Sequence, residues 1–207
     1  MRLAVILSTA IATTALIYGQ SQAIQLRDGT VYFAQPPRLV AATTTYNQVY
    51  VWGATYYFTV SLPENAGEPL QKIKIHQREG VDHIRFDLKN TIAFTDTPSR
   101  RGERIGLKDV TSDRKTRTVS LIFDPPVSPS KTITIGLKPW QNPTSAGVYL
   151  FGVTAFPQGE KTHSQFLGFG RLHFYNHRSN YYPFFMVCNQ NLLPIDHNQP
   201  VGCVRRK

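Results

Sequence analysis

The charged side chains best suited to binding in this sequence lie in one segment. Seven Lys and Arg residues occur between positions 100 and 117, interrupted by three acidic residues. The basic residues are Arg100, Arg101, Arg104, Lys108, Arg114, Lys115 and Arg117. Basic side chains on one surface attract anions because their fields add. The segment therefore predicts an anion-binding surface, although a solvated loop whose charge only maintains solubility explains the same residues.

Histidines are the second set of side chains that could bind a ligand. Some β-sandwich proteins bind copper through imidazoles at loop ends, and the candidates here are His76, His83 and His163. His173 and His177 are four residues apart, which on a strand spans about 13 Å and is too far for one ion. A metal site is therefore kept as an alternative to ordinary polar roles for the histidines.

Aromatic side chains could also bind a ligand, by stacking on sugar rings. Tyr46, Tyr50, Trp52 and Trp140 are candidates for such a platform, although most aromatic residues of a β-sandwich belong to its core. Trp140 lies in a predicted turn that also contains Asn142 and Pro143. We expect Trp140 to be exposed and most of the others to be buried.

The sequence lacks the common catalytic and phosphate-binding frames. It contains no Gly-x-Ser-x-Gly, no P-loop and no Gly-x-Gly-x-x-Gly. The segment Gly168-Phe169-Gly170 lies inside a strand pattern, where glycines indicate a bulge or close packing. We predict that the protein is not an enzyme and needs no cofactor.

Alternation of apolar and polar residues predicts the elements that position these side chains. Ile73 and Ile75 alternate with lysines, and similar patterns follow in residues 84–89 and 119–123. Residues 47–62 are rich in aromatic and β-branched residues and predict one long strand, or two with a bend at Gly53. Further strand-like runs occupy residues 132–137, 147–156 and 165–175.

About eight such segments without helical periodicity predict an all-β, antiparallel, immunoglobulin-like sandwich. Residues 95–117 are polar and charged without alternation, and we predict a long surface connection there that could contain a short helix. Residues 24–176 form the predicted sandwich domain, and residues 177–207 an irregular C-terminal tail that is either docked or poorly ordered.

The N-terminus has the three parts of a secretory signal peptide. Met1 and Arg2 precede an apolar run that is too short to span a bilayer, and small residues at Ser21 and Ala23 form a cleavage site. Cleavage would release a chain that begins at Ile24. We predict an exported protein, periplasmic or extracellular, that is not integral to the membrane after cleavage.

The net charge of +10 also bears on the partner. An exported basic protein meets anionic lipid or polysaccharide more often than nucleic acid, so a nucleic-acid partner is not expected. The two cysteines, Cys188 and Cys203, lie in the tail. In an exported chain they predict a disulfide, with two unpaired thiols as the alternative.

Several stretches together resemble a known family. They are Val31-Tyr32-Phe33 with Pro36-Pro37, and residues 52–58 (WGATYYF), 62–70 (LPENAGEPL), 123–126 (FDPP), 147–157 (GVYLFGVTAFP) and 167–170 (LGFG). The chain, from about Val31 to Tyr175, is similar to exported cyanobacterial proteins known only as a domain of unknown function. The resemblance implies an extracytoplasmic location and brings no activity. The tail, with its cysteines, departs from the family pattern.

These observations favour a non-enzymatic cell-envelope module that binds another protein or an anionic polymer. The alternative is a periplasmic carrier of a metal or small ligand that uses loop histidines.

Overall fold

The computed structural model describes residues 24–25 and 28–176 and contains strands but no helix in these residues. The strands are β1 (Ile24–Gln25), β2 (Val31–Tyr32), β3 (Arg38–Thr44), β4 (Tyr56–Ser61), β5 (Leu70–Glu79), β6 (Phe86–Thr95), β7 (Leu107–Asp113), β8 (Thr118–Val127), β9 (Thr132–Pro139), β10 (Gly147–Pro157) and β11 (Gln165–Phe174). β1 and β2 pair with each other, and the other nine strands form two antiparallel sheets. The predicted all-β sandwich is confirmed.

One sheet has five strands in the order β11-β10-β5-β8-β7, and the other has four in the order β3-β4-β9-β6. Their inner faces enclose a core whose largest buried side chains include Tyr56, Phe58, Tyr149, Phe151 and Phe174. Full burial of each such side chain contributes about 1.5–3 kcal/mol. Aromatic edge-to-face contacts, such as that between Phe58 and Phe151 at 5.6 Å, orient the rings.

The predicted alternation in β5 places its isoleucines inside the sandwich. Ile73 and Ile75 are buried, whereas Lys74 is exposed. Ile75 lies opposite Val153 of β10 and Val119 of β8, which are also buried. Because the side-chain period of a strand is two, this register puts apolar side chains of three adjacent strands on one face.

The strand directions divide the connections between two ends of the sandwich. Residues 45–55, 80–85, 114–117 and 140–146 lie at one end, whereas residues 62–69, 96–106, 128–131 and 158–164 lie at the other. Strands of six to eleven residues rise about 3.3 Å per residue, so the two ends are roughly 20–35 Å apart. Residues at opposite ends cannot touch one small ligand.

The prediction of strand structure throughout residues 47–62 is wrong, because only Tyr56–Ser61 form a strand. Tyr50 and Gly53 have φ angles of 61° and 78°, and this left-handed conformation interrupts an extended chain. Residues 45–55 therefore form a loop. The sequence patterns also missed β3, an edge strand whose half-exposed residues alternate only weakly.

Residues 95–117 are not one long connection. β7 lies within them and pairs with β8 from Leu107 opposite Phe123 to Asp113 opposite Thr118. Its alternation is weak because β7 is an edge strand whose residues are mostly exposed. The bulge expected near Gly168 is confirmed, since the pairing of β10 with β11 shifts register after Val153, opposite Gly168.

Some predictions fall outside the described residues. The signal peptide of residues 1–23 and the tail of residues 177–207, with Cys188 and Cys203, are among them. Within the described part of the chain, no helix is long and apolar enough to cross a membrane.

Candidate functional site

A pocket of about 300 Å³ opens at the end of the sandwich that contains residues 80–85 and 140–146. Its lining includes His83, Arg85, Trp140, Gln141 and Thr144. The backbone N–H of Trp140 donates to the carbonyl of Arg85 at 3.0 Å, so the two side chains leave adjacent points of the backbone. The volume is at the lower limit of small-ligand pockets. Trp140 and Arg85 therefore line one concave surface.

Large aromatic side chains are exposed at this end of the sandwich. The exposed fractions are 51% for Tyr46, 59% for Tyr50, 68% for Trp52 and 59% for Trp140. The expectation that Trp140 is exposed is confirmed, and the expectation that most of the others are buried is wrong. Residues 45–55 form a loop, which removes their aromatic residues from the core. We call this surface, with residues 80–85, 114–117 and 140–146, the aromatic end.

Asn142 connects the two aromatic loops. Its side chain is buried, and its Nδ2 donates to the carbonyls of Tyr46 at 2.9 Å and Gln48 at 2.8 Å. Its Oδ1 accepts from the hydroxyl of Tyr56 at 3.0 Å. Both N–H donors of the buried amide hold residues 45–55 against residues 140–146, and its oxygen ties the same side chain to Tyr56 of β4.

Backbone hydrogen bonds strengthen the same connection. The N–H of Asn142 donates to the carbonyl of Val51 at 2.8 Å, and the N–H of Tyr50 donates to the carbonyl of Pro143 at 3.1 Å. Val51 precedes Trp52, and Asn142 follows Trp140 by two residues. The two tryptophans therefore project from loops that are hydrogen-bonded to each other.

Asp82 and Gln77 hold the third loop, residues 80–85. One carboxylate oxygen of Asp82 accepts from the N–H groups of Thr144 at 2.6 Å and Ser145 at 2.9 Å. The Oε1 of Gln77, which is buried, accepts from the N–H of Ile84 at 3.0 Å, and its Nε2 donates to the carbonyl of Asp82 at 2.6 Å. Side-chain hydrogen bonds of this kind replace the regular ladder that a loop lacks.

The pKa of Asp82 is lowered. Partial burial by itself raises this pKa, but hydrogen bonds from the Ser145 N–H, from the hydroxyl and N–H of Thr144 and from the Tyr149 hydroxyl outweigh it. Asp82 is therefore ionised at neutral pH, and its charge is used in structural hydrogen bonds.

Positive charge surrounds His83. Desolvation first, and then the charges of Arg117, Arg114 and Arg85, lower the pKa of His83 below its ordinary value of 6.5. All three arginines are exposed. The aromatic end therefore has a positive field beside its pocket, and His83 is neutral at pH 7 in the free protein.

The structure divides the seven predicted basic residues between the two ends. Arg114, Lys115 and Arg117 lie at the aromatic end, in the turn between β7 and β8, whereas Arg100, Arg101, Arg104 and Lys108 lie near the other end. Arg101 donates to the Tyr57 hydroxyl and lies 5.2 Å from the Phe94 ring centre. Arg101 thus packs on the outer face of the four-stranded sheet.

The three candidate histidines do not meet. His83 lies at the aromatic end, His76 lies within β5, and His163 stacks on Tyr32 at 4.6 Å near the other end. No group of three His, Cys, Asp or Glu side chains that could hold a metal occurs in residues 24–25 and 28–176.

Sequence reasoning missed Arg85, Asp82 and the supporting roles of Gln77 and Asn142. Arg85 belongs to the alternating pattern of residues 84–89, which identifies it only as a polar residue of a strand. Asn142 offered a weak signal, because an Asn before Pro in a turn often bonds to backbone groups. Its partners lie more than 80 residues away in the chain, so no local pattern identifies them.

Comparison with known proteins gives a family and distant structural similarities. Residues 30–174 match the family described as "Protein of unknown function (DUF2808)". No curated protein sequence matches the chain.

Among solved structures, the collagen-binding domain from a Staphylococcus aureus adhesin is 12% identical, with a TM-score of 0.36 over 66% of this chain and 98% of that domain. The C-terminal domain of the Streptococcus agalactiae AgI/II polypeptide BspA is 14% identical, with a TM-score of 0.38 over 73% of this chain and 48% of that one. The match thus spans about half the length of the BspA chain. A cohesin module from a Clostridium perfringens family 33 glycoside hydrolase is 11% identical, with a TM-score of 0.30 over 66% of this chain and 98% of the module. Similarities this distant carry no information about function.

Proposed function

We propose that this chain, which belongs to the DUF2808 family of unknown function, is a binding module. Its aromatic end would recognise an anionic polysaccharide. The observation that carries the proposal is the pairing of an exposed Trp140 with Arg85 at one pocket. Flat aromatic rings present apolar area for the faces of sugar rings. Guanidinium groups bind carboxylate and sulfate groups through paired hydrogen bonds.

The support beneath the aromatic residues favours binding over a merely exposed loop. Asn142, Gln77 and Asp82 fix the three loops through buried or partly buried hydrogen bonds. A loop that is already ordered loses little entropy when it binds a ligand. Exposed tryptophans on a rigid support therefore have the geometry of a stacking platform.

The pocket favours binding over catalysis of glycosidic cleavage. Such cleavage requires two carboxyl groups that face one bond. Asp82 is the acidic residue of the pocket lining, and its Oδ2 accepts hydrogen bonds from four groups of the protein. We propose a non-enzymatic role.

The proposed setting is the cell envelope or the space outside it. The signal-peptide pattern of residues 1–23 and the positive net charge support this location. Anionic polysaccharides are polymers of that compartment, and their repeated charges would add to a binding site built from several arginines.

Isothermal titration tests the proposal with dextran sulfate and polygalacturonate as ligands and uncharged dextran as the comparison. We expect saturable binding of at least one charged polymer and at least tenfold weaker binding by Trp140→Ala and by Arg85→Ala, equivalent to about 1.4 kcal/mol each. The double variant Arg100→Ala/Arg104→Ala is the matched control, because it removes two exposed arginines at the opposite end.

Two results would overturn the proposal. If the control variant weakens binding as much as Arg85→Ala, net charge alone attracts the polymer. If the control weakens binding more, the basic residues at positions 100–108 are the binding surface instead.

A further inference from the structure

The two lateral sides of the sandwich differ. On one side β11 approaches β3 so closely that the backbone of Gly170 lies against the side chains of Ala42 and Phe58. On the other side, β6 and β7 leave a groove of about 510 Å³ between the sheets. The second side is therefore the more open of the two, although residues 102–105 hydrogen-bond to part of β6.

Six of the ten residues that line the groove are apolar, although polar groups supply slightly more of its surface than apolar groups do. Leu88 and Ala93 of β6 face Leu107 and Val110 of β7, and Ile105 closes one end. These side chains pack against the core cluster or belong to it, so the groove reaches the core between the sheets. Its volume is in the range of ligand pockets.

Thr91 also lines this groove. Its side chain is 6% exposed, and its hydroxyl has no hydrogen-bond partner among the described residues. A buried hydroxyl without a partner is unfavourable, and native structures contain few of them. The hydroxyl itself is buried, so a group in the groove would reach it only if the lining moved.

β7 offers a free edge beside the groove. It pairs only with β8 in the described part of the chain, and most of its residues are exposed. The backbone groups of an unpaired edge are a template for an added strand. The side chains of such a strand would point alternately into the groove and away from it.

Charge indicates the kind of strand that fits. Lys89 and Arg104 are the charged residues of the lining, and both are basic. They disfavour this chain's own tail, residues 177–207, which contains four Lys and Arg residues and one Asp. They favour a partner segment with acidic residues.

We propose that the groove between β6 and β7 binds an extended segment of a partner protein, with aliphatic residues at alternate positions and acidic flanks, added as a strand along β7. This site is separate from the aromatic end and does not depend on its ligand. It would give the module a protein partner as well as a polymer.

Fluorescence anisotropy of a labelled peptide tests the site in the full chain. The peptide alternates Val with Thr over seven residues and has Asp-Glu at each end, and a second peptide has Lys-Lys at each end. We expect the acid-flanked peptide to bind at least tenfold more tightly. Hydrogen exchange should slow in residues 107–113 when the peptide binds.

A charge-reversal variant tests whether the two basic residues of the groove select the acid-flanked peptide. Lys89→Glu/Arg104→Glu should exchange the preference, so that the lysine-flanked peptide binds more tightly. Arg38→Glu/Lys131→Glu, which reverses two exposed charges outside the groove, should leave it unchanged. The exchange of preference is a gain of binding that a misfolded variant cannot produce.

The proposal is overturned if neither peptide binds, if both bind equally, or if protection occurs outside β7. It is also overturned if the chain forms dimers that Val110→Lys abolishes, since a second copy would then occupy the groove.

Discussion

The hydroxyl of Tyr56, buried in the core, donates to the side-chain oxygen of Asn142 at 3.0 Å. Burial first, and then the nearby Tyr149, raise the pKa of Tyr56, so its hydroxyl remains a donor at every physiological pH. The amide nitrogen of Asn142 continues the connection outward to the carbonyls of Tyr46 and Gln48. A core residue thus fixes the position of a surface loop that carries exposed aromatic rings.

Asn142→Ala should therefore destabilise the fold and weaken ligand binding together. It leaves the Tyr56 hydroxyl and two carbonyls without partners, and we expect a loss of about 2–4 kcal/mol in the free energy of unfolding. Urea denaturation measures this loss. Gln141→Ala is the control, because Gln141 makes one exposed hydrogen bond, and its cost should stay within about 0.5 kcal/mol. Equal costs for the two variants would contradict the structural role of Asn142.

Asp82→Asn should loosen the loop of residues 80–85. Oδ2 of the carboxylate accepts from two N–H groups and two hydroxyls, and an uncharged amide oxygen at that position would accept the same hydrogen bonds more weakly. We expect a loss of about 1–2 kcal/mol at pH 7, measured by thermal or urea denaturation.

The loss from Asp82→Asn should depend on pH. A carboxyl whose pKa is lowered in the folded state stabilises that state above its unfolded pKa, near 3.8, and this contribution disappears as the pH falls through the folded pKa. The stability difference between wild type and variant should therefore shrink in acid. A constant difference from pH 7 to pH 2 would contradict the assignment.

Binding of a sulfated polymer should strengthen as the pH falls. The pKa of His83 is lowered by desolvation and by three arginines, so its protonation is unfavourable in the free protein. A bound anion offsets that repulsion and raises the pKa of His83, and linkage then requires tighter binding where His83 gains its proton. Titration calorimetry from pH 8 to pH 5 measures the trend.

His83→Gln should remove this part of the pH dependence, because the side chain no longer titrates. In the free protein, a fall in pH has the opposite effect: protonation of His83 lowers the stability of the fold. A histidine with a lowered folded pKa costs stability as the pH falls below its unfolded value of 6.5. An unchanged binding profile in the variant would show that His83 does not face the polymer.

Thr91→Val should stabilise the free protein by about 1 kcal/mol, because it replaces an unpartnered buried hydroxyl with a methyl group of similar size. Differential scanning calorimetry measures the change. Thr59→Val is the contrasting variant, since the Thr59 hydroxyl is bonded to that of Thr134 at 2.9 Å and its loss should destabilise the fold. If both substitutions stabilise the protein, or both destabilise it, the unpartnered state of the Thr91 hydroxyl is contradicted.

The sequence was sufficient to predict the class of the fold. Strands with one buried face, such as β5, alternate strictly because Ile73 and Ile75 must reach the core. Edge strands carry less of this pattern, and β3 and β7 were missed because their residues are mostly half-buried or exposed. The aromatic composition of residues 47–55 is typical of a strand, although the backbone turns at Tyr50 and Gly53.

The candidate site was less predictable because it depends on contacts between distant residues. The turn predicts the exposure of Trp140, whereas Trp52 is exposed because it lies in a loop that is held by distant contacts such as the hydrogen bond between Val51 and Asn142. The clustering of basic residues in the sequence did not produce one surface, because β7 separates Arg104 from Arg114. Arg85 is distant in sequence from Arg114 and Arg117, and only the fold brings all three close enough to lower the pKa of His83.

Tryptophan fluorescence tests the central claim most directly, because the chain has two tryptophans, Trp52 and Trp140, and both are exposed at the aromatic end. Titration with dextran sulfate or polygalacturonate should give a saturable change in emission and protection from the neutral quencher acrylamide. Arg85→Ala should reduce both effects, whereas Arg100→Ala/Arg104→Ala should preserve them. Binding detected by calorimetry without any change in tryptophan emission or quenching would contradict the account, because the polymer would then lie elsewhere on the protein.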